Sequence, residues 1–247
     1  GKVFLTIKPQ FQPMELNSLS PERANVIAAL RNAAARTGSD FNYLLGTAMR
    51  ESGLKSAAQS ATSSATGLFQ FIDQTWLGLV KDHGAAHGLA RQANAITKGA
   101  DGRYHAGGAR DAILALRKDP GVAALMEGEY GKSTATAMTA VLGRPVCGGE
   151  LYAAHFLGPD AACKLIKLAE TNPQAGAAAQ FPAAAAANKS VFYRADGAPK
   201  SMREVYDWAM RQPGGSGTVR ETAPSLPQSP MVLAATASDS DIQLLVS

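Results

Sequence analysis

One carboxylate stands out by its setting. Glu51 sits in Arg50-Glu51-Ser52-Gly53-Leu54, where a helical apolar pattern comes to an end. Phe41, Leu44, Leu45, Ala48 and Met49 fall at i, i+3, i+4, i+7 and i+8, the repeat of an amphipathic helix face. At 100° per residue, Glu51 lies roughly 80° from the centre of that face. Its side chain is therefore expected on the border between core and solvent. A carboxyl group held there is partly desolvated, which disfavours the charged form and favours retention of a proton. Such a group can give its proton to a departing oxygen and later take one back, the work of a general acid and then a general base.

The stretch that follows strengthens this reading. After Glu51-Ser52 comes a polar loop of small residues over 54–67, then Ala65-Thr66-Gly67-Leu68-Phe69-Gln70-Phe71. The pairing of Glu51-Ser52 with Gly67-Leu68-Phe69-Gln70 resembles the soluble lytic transglycosylase family. In that family a helix ending in Glu-Ser leads through a loop to Gly-Leu-Met-Gln. Here Phe69 takes the place of Met. The family's third motif, Ala-Tyr-Asn-Ala-Gly, has its counterpart in Leu151-Tyr152-Ala153-Ala154-His155-Phe156-Leu157-Gly158-Pro159. Aligned on Gly158-Pro159, His155 stands for the family's Tyr and Phe156 for its Asn. That departure changes how a sugar would be gripped, and Tyr152, one helical turn before His155, could supply a hydroxyl from the same face. The wording Glu-Leu-Tyr-Ala-Ala-His-Phe-Leu-Gly is similar to a branch with flagellum-associated muramidase-like proteins.

The resemblance spans roughly residues 20–210 and implies a mainly α, lysozyme-like domain with a substrate groove. It implies cleavage of peptidoglycan glycan strands, with Glu51 catalytic and Gln70, Tyr152, His155, Phe69 and Ser60 as substrate-binding candidates. A glycosidic oxygen leaves poorly unless protonated as its bond breaks, which is the task assigned to Glu51. Ordinary glycosidases use two carboxylates, and no second one occurs in a matching motif. A single carboxylate fits the route the family implies, in which the muramyl 6-hydroxyl closes a 1,6-anhydro ring. Two other readings stay open: a hydrolytic muramidase on the same scaffold, and a non-catalytic peptidoglycan-binding scaffold. A secreted lysin would share the chemistry. The expected setting is the periplasm or cell envelope, with wall-spanning assembly proteins as possible partners. A monomer is expected, without a cofactor or bound metal.

Other residues read as structural. His83 and His87 have metal-pair spacing, but Gly84 and Gly88 interrupt the helix and no third ligand is evident. Phe69, Phe71, Trp76 and Tyr130 suit a core, with a substrate contact as the alternative for Phe69. Asp73, Glu129 and Glu150 are expected to face solvent, Asp73 with a capping role as its alternative. One of Tyr152 and His155 is expected in the core. Gln70 suits either a substrate contact or a brace for its loop. Ser60, Ser63 and Ser64 suit loop hydrogen bonds. Cys147 and Cys163 allow one disulfide or two buried thiols.

The elements that must position these groups follow from local signals. Ser20-Pro21-Glu22 opens a first helix and Gly38 ends it. The second helix begins after Ser39-Asp40 and exits at Gly53. A short helix is expected over 73–81, with further helices over 109–118, 121–141, 149–157 and 159–170. Residues 172–187 suit either helix or an ordered loop. Ser201-Met202-Arg203-Glu204 is a capping box that opens a last helix. Three regions result: an extended lead-in 1–19, a catalytic domain 20–212, and a flexible linker or tail 213–247 whose apolar end, 242–246, could dock elsewhere.

Composition agrees with this division. The 247 residues are 46% hydrophobic and 18% charged, enough for a sizeable core. A net charge of +4 suits an anionic polymer. No dense Lys/Arg run interleaved with aromatics appears, so nucleic acid is not the expected partner. No apolar run approaches the length of a membrane span, and that within Gly1–Gln10 is too short for a signal peptide.

Overall fold

A computed structural model describes residues 20–212. The lead-in 1–19 and the tail 213–247 lie outside the described residues, as does the docking idea for 242–246. The helices, in order, are α1 (Pro21–Thr37), α2 (Phe41–Ser52), α3 (Asp73–His83), α4 (Ala90–Ala95), α5 (Arg110–Ala115), α6 (Pro120–Leu142), α7 (Gly148–Leu157), α8 (Pro159–Thr171), α9 (Ala177–Gln180), α10 (Pro182–Ala187), α11 (Lys189–Phe192) and α12 (Met202–Met210). Two-residue strands, β1 (Thr97–Lys98) and β2 (Tyr104–His105), pair antiparallel with Thr97 opposite His105. The fold is mainly α.

The first two helices begin and end where their caps dictate. Ser20 Oγ accepts the Arg23 N–H at 3.3 Å, and Gly38 turns left-handed at φ 77°. Asp40 Oδ1 accepts the Tyr43 N–H at 2.8 Å, and Gly53 closes α2 at φ 61°. Two expected helices change form. The 109–118 segment splits into α5 and a 3₁₀ turn at Leu116–Lys118. The 172–187 stretch forms the two short helices α9 and α10, with Pro182 opening the second.

The long α6 runs along α1 and also touches α2, α3, α7 and α8. Trp76, Phe69, Phe71, Leu30, Leu44, Met126, Phe156 and Phe192 are fully buried in one core. Small residues on α6 set the approach distance. A Cβ on Gly131 would meet the Tyr43 ring at 2.9 Å, so α2 can lie this close only because that position is bare. On the far side, α7 packs on α8, and α12 covers both.

The buried side of α2 differs from the side its apolar residues mark. Tyr43, Leu44, Thr47, Ala48 and Arg50 are buried, whereas Phe41, Leu45 and Met49 are partly exposed. A polar line of Tyr43, Thr47 and Glu51, at i, i+4 and i+8, turns inward, with Glu127 on α6 as partner for Tyr43 and His155 on α7 as partner for Glu51. Glu51 is thereby drawn further from water than the apolar pattern alone implies.

Candidate active site

Three helices converge on one imidazole. Glu51 comes from the last turn of α2, Glu127 from the middle of α6, and His155 from α7. His155 Nε2 lies 3.3 Å from Glu51 Oε1, and its Nδ1 lies 3.6 Å from Glu127 Oε1. These are charge contacts rather than aligned hydrogen bonds, since neither ring nitrogen has a well-directed acceptor. The side chains of His155 and Glu127 are fully shielded, and that of Glu51 keeps 6% exposure. Tyr43 donates its hydroxyl to Glu127 Oε1 at 2.9 Å. The chain therefore runs Glu51, His155, Glu127, Tyr43, from the surface inward and back to the helix where it began.

The electrostatics follow from this packing. Burial opposes charge on His155, but the carboxylates of Glu127 and Glu51 beside the ring outweigh it and raise its pKa to about 10. The ring is thus an imidazolium at neutral pH. Burial, reinforced by the Glu127 charge, pushes the Tyr43 hydroxyl well above the ordinary tyrosine value.

A second layer braces Glu51 from its other neighbour. Buried Arg50 donates Nε–H to the Tyr152 hydroxyl at 3.1 Å, and its guanidinium lies 5.3 Å from the Trp208 ring centroid. Tyr152 stacks beside His155 at 6.4 Å. Burial and the Glu51 charge raise the Tyr152 hydroxyl, with Arg50 offsetting part of the effect.

The loop after α2 is built as a fixed wall. Gly67 adopts φ 85°, and a Cβ there would overlap the Arg117 carbonyl oxygen, so both conformation and space require glycine. Gln70 adopts φ 53° and donates its amide to Gly67 O at 2.9 Å and Ala58 O at 3.2 Å. Arg117 reaches in from the turn after α5. It donates to Ser64 O at 2.7 Å and Phe71 O at 3.0 Å, and pairs with Asp73 at 2.9 Å. Burial lowers the Arg117 pKa, and Asp73 offsets part of that loss.

The residues expected to line a groove fall into different places. Ser60 is partly exposed, and its Oγ accepts the Thr62 N–H at 3.2 Å. Gln70 is 8% exposed and ties its loop together. Phe69 is fully buried against Phe71, with ring centroids 6.0 Å apart. Tyr152 and His155 are both buried, where only one was expected to be, and they stand behind Glu51 rather than on a surface. The Tyr152 hydroxyl accepts from Arg50 on α2, and the His155 ring lies in charge contact with Glu51 on α2 and Glu127 on α6.

Other expectations need correction. Glu150 is not solvated: it is 3% exposed and takes both Arg144 guanidinium nitrogens, at 3.0 and 2.8 Å. Burial opposes its charge, but Arg144 and Cys147 outweigh that and hold its carboxyl below the usual range. Glu129 pairs with His87 at 2.9 Å and His83 at 3.6 Å. Asp73 pairs with Arg110 as well as Arg117. Cys147 and Cys163 are free thiols, the first exposed and the second buried.

Glu127, Tyr43, Arg117 and Trp208 escaped the sequence reading. Glu127 had one local signal: a carboxylate among Ala123, Ala124, Leu125, Met126 and Gly128 on an otherwise apolar stretch. A separate cavity of about 890 Å³ lies over α10 and α11, lined by Ala185, Lys189, Tyr193, Arg194 and Lys200 among others. It shares no residue with the Glu51 cluster. Among the described residues, no helix is long and apolar enough to cross a membrane.

Residues 28–97 match the family model of the transglycosylase SLT domain, a lytic transglycosylase domain of the lysozyme-like superfamily. The match covers most of α1, all of α2 and α3, and the Gly67–Gln70 turn. It ends before α6 and α7, which bring Glu127 and His155 to Glu51. Such domains act on peptidoglycan in the cell envelope, and the match points to lytic activity on that polymer.

Proposed function

We propose that this chain is a peptidoglycan lytic transglycosylase that cleaves the β-1,4 bond between N-acetylmuramic acid and N-acetylglucosamine. Glu51 serves as general acid and then as general base. The supporting observation is the position of Glu51, in the matched segment, nearly dry, and held against a buried imidazolium.

In its acid form Glu51 protonates the bridging oxygen as the muramyl C1–O bond breaks. Positive charge develops at C1, and the sugar's own N-acetyl group or local dipoles stabilise it. The Glu51 carboxylate then accepts the proton of the muramyl 6-hydroxyl while that oxygen bonds to C1. Glu51 returns to its acid form, no water is consumed, and the product ends in a 1,6-anhydro ring. A hydrolytic route needs a carboxylate that activates water at the sugar. Glu127, the second carboxylate of the cluster, is fully buried and occupied by Tyr43. Its placement suits support of the site and not activation of water in a cleft.

In this reading Ser60 contacts the glycan, Gln70 fixes the loop that carries it, and Tyr152 and His155 support Glu51 from behind. The enzyme acts as a monomer in the periplasm or cell envelope, without a cofactor, during assembly of a structure that crosses the wall. The test is mass spectrometry of fragments released from purified sacculi by the wild type and by Glu51→Gln. Anhydro fragments, lighter by one water than reducing ends and absent with Glu51→Gln, are expected. Reducing ends would indicate a muramidase. Sacculus binding without any release would indicate a scaffold.

A further inference from the structure

We infer that His155 is a positioning residue for Glu51: an imidazolium clamped between carboxylates from two helices, it fixes the Glu51 side chain and balances its charge whenever that group has given up its proton. The inference rests on the function proposed above and assigns a role to a site residue and to Glu127.

Geometry carries it. His155 stands between Glu51 at 3.3 Å and Glu127 at 3.6 Å, and the ring has no exposed surface. A buried charge is tolerated only when paired, so a fully enclosed imidazolium between two carboxylates is a preorganised electrostatic element. Counting charges gives the logic. With Glu51 protonated, His155 and Glu127 balance each other. When Glu51 releases its proton to the leaving oxygen, a negative charge arises beside an imidazolium already in place. No dipole has to reorient at that moment.

The inner half of the chain keeps the roles distinct. Tyr43 donates to Glu127 Oε1, which holds Glu127 in place as the standing partner of the ring. From its own helix, His155 is faced by Tyr152, which Arg50 engages. The Tyr130 hydroxyl, raised by burial and by the Glu127 charge, adds a neutral group on the α6 side. Glu51 and Glu127 set the state of His155, and Tyr43, Tyr130, Tyr152 and Arg50 are the other ionisable groups packed around these three.

The test compares wild type, Glu51→Gln, His155→Gln and Glu127→Gln on soluble glycan strands, with melting temperature as a check on folding. His155→Gln is expected to lower kcat about 10- to 100-fold while KM changes less than about threefold, because the lost interaction acts in the transition state. Glu127→Gln is expected to give a smaller loss, and the double variant is expected to lose less than the product of the two single losses. An independent readout uses imidazole nitrogen correlations by NMR on the full chain. Of the four histidines, one ring is expected to stay doubly protonated at pH 8, and Glu127→Gln is expected to lower its titration. The inference is overturned if no ring is doubly protonated at pH 8. It also fails if folded His155→Gln retains kcat and the wild-type pH profile while Glu51→Gln is inactive; in that case the proposed function still stands. If wild type releases no fragments, the enzymatic reading falls and this role falls with it.

Discussion

Arg50 donates its Nε–H to the Tyr152 hydroxyl at 3.1 Å, which fastens the residue beside Glu51 to the helix that carries His155. The same guanidinium lies against Trp208 of α12. The end of α2 is therefore pinned from two directions, and Glu51 inherits that rigidity.

Tyr152→Phe removes this acceptor while keeping the ring. The buried guanidinium loses a partner, at an expected cost of about 1–2 kcal/mol in stability. Fragment release should fall several-fold because Glu51 is less firmly held. Urea denaturation and product quantification measure the two effects; unchanged values in both would show that this contact does not brace the site.

Gly67→Ala and Gly53→Ala separate two demands on glycine. Both positions have positive φ, but only at Gly67 would a Cβ meet backbone, the Arg117 carbonyl. Gly53→Ala should cost about 1 kcal/mol and Gly67→Ala about 3–5 kcal/mol. Equal shifts in melting temperature would mean that the close approach at Gly67 does not matter.

Arg117→Met deletes the cross-links from the α5 turn to Ser64, Phe71 and Asp73. A loss of about 2–4 kcal/mol is expected, from buried carbonyls left unsatisfied and a broken ion pair. Hydrogen exchange should rise over residues 58–72 ahead of the rest of the chain. Uniform exchange would argue against a local tie.

The pH dependence of stability has a defined sign. The His155 pKa is raised from 6.5 to about 10 in the folded protein. The folded state then binds more protons than the unfolded state between those values. The contribution from His155 is complete below about pH 6.5 and declines as pH rises, until it is gone above about pH 10. Wild type should lose stability across this interval in denaturant titrations. His155→Gln should lack that component.

Thiol chemistry gives a direct check on the cysteines. Cys147 is exposed and Cys163 buried, and both are free. A thiol reagent should modify Cys147 readily in the native state and Cys163 only on denaturation. Reducing agents should leave the melting temperature unchanged.

Much of this was legible locally. Ser20, Asp40 and Ser201 announced their helices because a cap is a contact between residues three apart, and Gly38 and Gly53 announced where two of them stop. Glu51 was marked by its place in a short motif and by the apolar pattern around it. Glu127 was not, since its meaning depends on Tyr43 and His155, one of which lies 84 positions away in the chain. The inward turn of α2 was hidden for the same reason: Tyr43 and Glu51 look like a solvent face until α6 and α7 supply Glu127 and His155. The run 177–187 gave no periodicity because alanine is compatible with every face of a helix.

Tyr43 and Glu51 stand at opposite ends of α2, and the contacts between them close a loop through Glu127 and His155. A one-turn slip of that helix would open both joints of the clasp at once, so the site has no half-assembled form. Increasing denaturant should therefore extinguish catalysis and unravel the bundle at a common midpoint, with no inactive yet folded species in between.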